Sequence, residues 1–470
     1  MFLKKWSLLF FSILLLACSA SEHSNPTIKR DLGAILKDGK LRVSTSYSST
    51  SYFLYRGETL GFEYEMLSRF AKHLGVELEI VVATDIDSLI PNLIVGKVDL
   101  MGHGLTITKN RQQQVAFSEP IYLTHQVLVQ KKPENWRKMK LHEIDEYLIR
   151  DVVDLEGKTI SVRAKTSYYE RLKNLSEEIG ASITIEKLDG TLTTDEIIEM
   201  VADGQIEYTI SDENLASLLA ASYPILDVRV PVGLLQKSAW AVRKNSPKLL
   251  SKLDSWLIDF KKTADYNVIY KKYFKNKRSF RKRVKSDFYS LKTNSISKYD
   301  DLVKKESEKL GWDWRLVSAL IYQESQFEVH AKSWVGAGGL MQMMPATAKE
   351  MGVKNRFDPE DNLAGGTKYL KVLFNRFDKI IDEEQRIKFA MASYNCGYSH
   401  VLDAQKLAKE NGLEYLKWDD NVAEMILALS SPENYNKSFI KYGYVRGIEP
   451  YTYVKEIFER YTHYRGFIKE

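Results

Sequence analysis

The sequence is poor in the residues that build metal centres and disulfide frameworks. Its 470 residues include two cysteines, Cys18 and Cys396, and eight histidines. Two cysteines cannot form a four-cysteine zinc site. Neither an HExxH motif nor a histidine cluster is present, so no metal and no other cofactor is indicated. Beyond residue 16 no stretch approaches eighteen unbroken apolar residues, and no later membrane span is expected. No internal repeat is visible. Charge of one sign is also scarce: the net charge is +6, a mild basicity that by itself identifies no partner. A hydrophobic fraction of 44% and a charged fraction of 28% exclude wholesale disorder. The length is too great for one ordinary core and implies two or three compact units.

What is present begins at the N-terminus. Lys4 and Lys5 precede an apolar run over 6–16 broken only by Ser7 and Ser12. The run is too short to span a bilayer and reads as a signal peptide over 1–17. Leu15-Leu16-Ala17-Cys18 resembles a bacterial lipobox. The resemblance implies cleavage before Cys18, lipidation of its thiol and a membrane-anchored chain, with 18–37 as a tether. Ser19 after the cysteine implies outer-membrane sorting with the protein on the periplasmic face. The alternative is an ordinary secretory signal cleaved near Ala20. With Cys18 lipidated, Cys396 has no intrachain disulfide partner, and an exported chain leaves no role for nucleic acid.

Two compositional regimes follow. Over 39–242 short apolar runs alternate with amphipathic stretches. Leu41-Arg42-Val43 is strand-like, whereas Met66, Leu67, Phe70, Ala71 and Leu74 fall at helical spacing. Such βαβ alternation predicts an α/β domain over 38–274. Residues 275–285, KNKRSFRKRVK, carry seven basic side chains and no acid. They read as a solvated basic linker over 275–295, or as an electrostatic contact with headgroups or an anionic polymer. From 296 to 470 helical patterns dominate, and an all-α domain is expected.

One helix in that domain carries a carboxyl in an unusual place. Asp313 stands where an N-cap belongs. Behind it Val317, Leu320, Ile321 and Glu324 fall at i, i+3, i+4 and i+7, on one face. A carboxyl on an apolar face has its charged form disfavoured and its pKa raised, as a general acid at neutral pH requires. From spacing alone, a buried glutamate satisfied by an arginine or a backbone amide explains the pattern equally. The residues that follow add more. Glu324-Ser325 precedes Gly336-Ala337-Gly338-Gly339-Leu340-Met341-Gln342-Met343-Met344-Pro345. Then come Asp358-Pro359 with Asn362-Leu363-Ala364-Gly365-Gly366, then Ala392-Ser393-Tyr394-Asn395-Cys396-Gly397, then Glu449-Pro450-Tyr451-Thr452-Tyr453-Val454. These ordered blocks resemble the lytic transglycosylase domain of the soluble type, glycoside hydrolase family 23. The usual proline after the Glu-Ser block is replaced near Val329, and Ser399 stands for a second glycine of the Tyr-Asn block.

That resemblance implies a lysozyme-like fold, peptidoglycan glycan strands as substrate, and Glu324 as the single catalytic acid and base. Ser333, Gln342, Met344, Tyr394, Asn395 and Tyr453 are implied to line the glycan groove. It also implies cleavage of the MurNAc–GlcNAc bond without water. The sugar's own 6-hydroxyl closes a 1,6-anhydro ring, an intramolecular attack of high effective molarity. A lysozyme-like hydrolase would instead need a second carboxylate to activate water, and Asp358 and Asp361 stay open for that part.

The front region has its own resemblance. Gly61-Phe62-Glu63-Tyr64-Glu65, then Leu105-Thr106-Ile107-Thr108-Lys109-Asn110-Arg111, then Ala116-Phe117-Ser118-Glu119-Pro120 are similar to solute-binding proteins of family 3. The resemblance implies two α/β lobes closing on a ligand, an amino acid or a muropeptide. Arg111, Thr106 and Thr166 would hold its carboxylate and Asp212 its amino group. Lys165 stands where the family has glycine and adds a cation. The fold class expected is therefore multidomain: a two-lobed periplasmic-binding-protein-like unit ahead of an all-α lysozyme-like unit. A solute-binding protein merely held on murein is a second reading, from a different class. Glu324 and its block argue against it, because a pure binder needs no acid.

Overall fold

The computed structural model describes residues 28–83 and 85–469. The expected signal peptide, Cys18 and Ser19 lie outside the described residues.

The front unit has two large sheets, one per lobe, and a small two-stranded one, Phe53–Tyr55 with Glu58–Leu60. In the first, Lys40–Thr45 runs parallel to Glu77–Val82 on one side and to Leu100–Thr106 on the other. Gln236–Val242 joins antiparallel, and Ala116–Phe117 and Tyr122–Thr124 pair with it. In the second, the order is Thr184–Leu188, Thr159–Arg163, Tyr208–Asp212, Gln126–Lys131 and Leu226–Pro231. The chain therefore crosses between the sheets twice, from Tyr122–Thr124 into Gln126–Lys131 and from Leu226–Pro231 into Gln236–Val242. Two adjacent crossings make a hinge between lobes.

The elements follow from sequence pattern. Leu41 and Val43, two apart on one face of the strand, are fully buried, while Arg42 between them pairs with Asp38 at 3.1 Å, the alternation that a half-buried strand shows. The helix Phe62–Leu74 buries Met66, Leu67, Phe70 and Ala71, the stripe its spacing predicted, and stops at Gly75 in the left-handed conformation, φ +70°.

Two stretches differ from expectation. Within the anticipated tether, Leu32–Asp38 is a helix capped by Asp31, with Ile35 fully buried. Arg30 beside it binds Asp99 at 2.7 Å. The anticipated basic linker contains the helix Lys277–Val284, capped by Asn276. Phe280 and Val284, four apart, face the front core, and Arg283 lies 5.2 Å from the centre of the Phe53 ring. The basic side chains hide this stripe because an apolar pair is a faint signal among seven cations.

The rear unit is helical, and among the described residues it contributes no strand after residue 295. Trp314–Ser325 packs on the C-terminal helix Ile448–Phe467, which also packs on Glu383–Cys396. Leu320, Ile321, Leu363, Leu370, Phe389 and Ile457 lie in its core. Tyr52 and Leu54 of the front unit belong to that same core.

Candidate active site and front cleft

Asp313 accepts a hydrogen bond from the Arg315 amide at 2.9 Å and so caps the Trp314–Ser325 helix. Val317, Leu320 and Ile321 on its inner face are fully buried. Glu324 continues that face in the last turn, where the helix ends at Gln326, φ +51°. Its side chain is half-buried. Burial pushes its pKa up to about 7, opposed by one hydrogen bond, from the Tyr453 hydroxyl to Glu324 Oε1 at 2.5 Å. Tyr394 stands close enough for its ionisation to feel Glu324. Among the described residues no charged side chain shifts Glu324, so burial keeps its carboxyl protonated well above the usual carboxylate range.

A loop over 331–343 follows this carboxyl in the chain and is held from behind. Ser325 Oγ donates to the Leu340 carbonyl at 2.7 Å, and Tyr394 donates to the Met341 carbonyl at 2.7 Å. Gln342 Nε2 donates to the Ala331 and Gly339 carbonyls, both at 2.9 Å. Ser333 Oγ accepts from the Ala337 amide at 3.0 Å. Gly339, φ +85°, is required here: a Cβ would sit 2.0 Å from the Arg356 carbonyl oxygen.

The predicted groove residues thus divide by what they touch. Tyr453 meets Glu324 directly, and Tyr394 lies beside it. Gln342 and Ser333 hold the loop through these bonds, while Met344 and Asn395 are exposed. Asn362 is a residue that the sequence pattern did not single out. It is fully buried, donates to the Gly338 carbonyl at 3.0 Å and accepts from the Met341 amide at 2.7 Å. Asn362 follows Glu360 and Asp361 in the first turn of its helix, where a polar residue is ordinary, so the sequence carries no separate signal for its burial. The two carboxylates left open for a hydrolase are used locally. Asp358 accepts from the Asp361 amide and Asp361 from the Asn355 amide, capping and bracing the helix Pro359–Arg376.

Between the front lobes lies a cleft of about 570 Å³. Arg111, Thr106, Thr166 and Asp212 all line it. Lys165 does not: it is exposed, φ +60°, and outside the lining. A cation that does line the cleft beside Arg111 is Arg163, two residues earlier at the end of its strand; Lys292 and Lys469 line it as well. Arg163 donates to the Leu192 carbonyl at 2.9 Å, and Arg111 to the Thr106 carbonyl at 3.0 Å. Burial lowers the pKa of both. Asp212 Oδ1 is buried with no hydrogen-bond partner, and burial lifts this carboxyl to about 7.

Comparison with known proteins agrees with this division. The family of bacterial extracellular solute-binding proteins, family 3, matches residues 40–276, and the transglycosylase SLT domain matches residues 301–416. The membrane-bound lytic murein transglycosylase F of Desulfosudis oleivorans is 35% identical, covering 92% of this chain and 91% of its own length. The protein of the same description from Photobacterium profundum is 32% identical over 93% of this chain and 82% of its own. Among solved structures, a mutant of ArgBP from T. maritima aligns with 52% of this chain and 99% of its own, at 27% identity and a TM-score of 0.44. With relatives at 32–35% identity matched over more than nine-tenths of this chain and most of their own length, the chain belongs to the membrane-bound lytic murein transglycosylase F family.

Proposed function

We propose that this lytic transglycosylase cuts peptidoglycan glycan strands with Glu324 as acid and then as base. The observation that carries the reading is a half-buried carboxyl oriented by the Tyr453 hydroxyl at 2.5 Å, lifted to about 7 by burial and with no cation among the described residues to neutralise it. Protonated Glu324 gives its proton to the glycosidic oxygen as the bond from the MurNAc anomeric carbon breaks. The N-acetyl oxygen supports the positive centre. The carboxylate then takes the proton of the 6-hydroxyl, whose oxygen bonds to the anomeric carbon. The product end is 1,6-anhydro-MurNAc, and Glu324 is protonated again. Ser333, Gln342, Met344, Tyr394, Asn395 and Tyr453 form the groove, with rings and thioether for sugar faces and amides for hydroxyls.

Digestion of purified murein in heavy-oxygen water tests the route. The new ends are expected to carry the mass of the anhydro sugar and no label. Labelled reducing ends would instead mark a hydrolase.

Membrane association in this reading comes from a lipidated Cys18 at the periplasmic face of the outer membrane; no described helix is long and apolar enough to cross a membrane. Cys18→Ala protein is expected in the soluble fraction after a salt wash. Its retention in membranes would point to another anchor. The front cleft is read as a binding site for a zwitterion, an amino acid or a stem peptide. Arg111, Thr106 and Thr166 would face a carboxylate and Asp212 an ammonium group. The domain limits proposed are 38–274 for this unit and 296–470 for the transglycosylase.

A further inference from the structure

The front unit reaches toward the rear one with a hairpin. Phe53–Tyr55 and Glu58–Leu60 pair antiparallel across the turn Arg56–Gly57. Both turn residues have positive φ, 52° and 77°, as a two-residue type I′ turn requires. The hairpin is braced from its own side. Leu54 N donates to Ser290 Oγ at 2.9 Å and Arg56 N to the Phe288 carbonyl at 3.0 Å.

Its tip meets the turn that carries Glu324. A Cβ at Gly57 would stand 2.8 Å from Tyr322, 2.8 Å from Phe327 and 2.8 Å from the Tyr464 hydroxyl. Tyr464 donates to the Gly57 carbonyl at 2.7 Å. Tyr322 and Phe327 bracket Glu324, two residues before it and three after, and their rings meet edge-on at 6.2 Å. Between them the backbone is strained. Gln326 and Phe327 are consecutive non-glycine residues in the left-handed region, φ 51° and 61°. Such residues persist only where their surroundings over-determine them. Tyr322 is also covered by Arg460, 4.3 Å from the ring centre, from the same helix that supplies Tyr453 and Tyr464.

We infer that the 53–60 hairpin is a positioning element of the transglycosylase site: Gly57 clamps Tyr322 and Phe327 and so fixes the strained turn that aims Glu324 at Tyr453. Gly57 touches no substrate in this scheme; it acts through the turn. The inference rests on the reading of Glu324 as the acid. It makes the solute-binding-type unit part of the catalytic architecture whether or not its cleft holds a ligand. A relaxed turn would open Glu324 to water and move its pKa down. The titratable groups facing Glu324 are Tyr453 and Tyr394, neither charged near neutrality, so a shift in the pH profile reports on Glu324 itself.

The test uses full-length protein without added ligand and compares Gly57→Ala with Gly75→Ala. Gly75 has the same left-handed backbone, φ +70°, with nothing within 4 Å of an added Cβ, so it reproduces the backbone strain without the collision. Gly57→Ala is expected to lower kcat on solubilised glycan strands about 10-fold, short of the 10²-fold that a misplacement of about 1 Å can cost. KM should change little, and the fall in activity at high pH should begin about one pH unit lower. Gly75→Ala should keep the wild-type profile. Adding Phe327→Leu to Gly57→Ala should restore part of kcat by making room. Tyr464→Phe, which removes only the bond to the Gly57 carbonyl, should shift the profile in the same direction if Gly57→Ala does not fold. Wild-type kcat and pH profile in folded Gly57→Ala, or in Tyr464→Phe where Gly57→Ala does not fold, would overturn the inference. Activity surviving in Glu324→Gln would overturn the underlying reading instead, whatever Gly57 does.

Discussion

Glu324→Gln is expected to reduce glycan cleavage by about 10³-fold, within the range that general acid–base groups contribute. The substitution keeps shape and keeps an acceptor for the Tyr453 hydroxyl, while removing the transferable proton. The same variant should be more stable than the wild type in alkali. The carboxyl titrates near 4.5 when unfolded and about 7 when folded. A raised folded pKa contributes stability below pH 4.5 that is lost as pH rises through 7. Glutamine has no such loss. At about 1.36 kcal/mol per pH unit the gain at pH 8 is below about 3 kcal/mol, because the carboxyl also meets solvent. Melting curves at pH 4 and pH 8, with turnover measured alongside, check both parts. Wild-type turnover within a few-fold, or a melting difference independent of pH, would remove Glu324 from its role. For the wild type, kcat/KM should fall as pH rises through 7, since the acid must begin protonated.

The helix bearing Glu324 is legible because two signals coincide there. Asp313 is a cap in sequence and in space, and the 3–4 spacing of Val317, Leu320 and Ile321 survives as a fully buried face. What spacing cannot supply is the partner. Tyr453 lies 129 residues away, and only the packing of the C-terminal helix brings its hydroxyl to Glu324. Local pattern likewise accounts for the burial of Leu41 and Val43 but not for the crossings between lobes, which are set by strand pairing over long separations. The hairpin at 53–60 is invisible in the sequence for a related reason. Its turn uses Arg56 with positive φ where a glycine or asparagine signal would normally announce it. Charge causes the other discrepancy. Lys277–Val284 reads as solvated because lysine and arginine dominate it, yet Arg283 is buried whole, its guanidinium 5.2 Å from the Phe53 and 5.7 Å from the Tyr273 ring centre.

In the front cleft the same reasoning separates two cations that look alike in the sequence. Arg111→Ala is expected to weaken binding of a stem peptide by about 30-fold or more, since truncating one member of a buried charge pair costs about 2–5 kcal/mol. Lys165→Ala is expected to change it less than about twofold, because Lys165 is exposed and outside the lining. Arg163→Ala should resemble Arg111→Ala for a ligand with two carboxylates and Lys165→Ala for one with a single carboxylate. Arg163 is buried and Arg111 half-buried, and neither has a carboxylate within hydrogen-bond distance among the described residues; Arg111 is held by the Thr106 carbonyl and Arg163 by the Leu192 carbonyl and the Thr194 hydroxyl, leaving each with donors to spare. Asp212 adds a pH signature. Its carboxyl titrates at about 7 and must be charged to pair with an ammonium group. Affinity should therefore fall as pH drops below 7, and binding at pH 7 should release protons, seen as a heat that varies with the buffer's ionisation enthalpy. Calorimetry on the three variants in two buffers measures all of this. Equal losses from Arg111→Ala and Lys165→Ala, or a heat independent of buffer, would mean that ligand does not sit between Arg111 and Asp212.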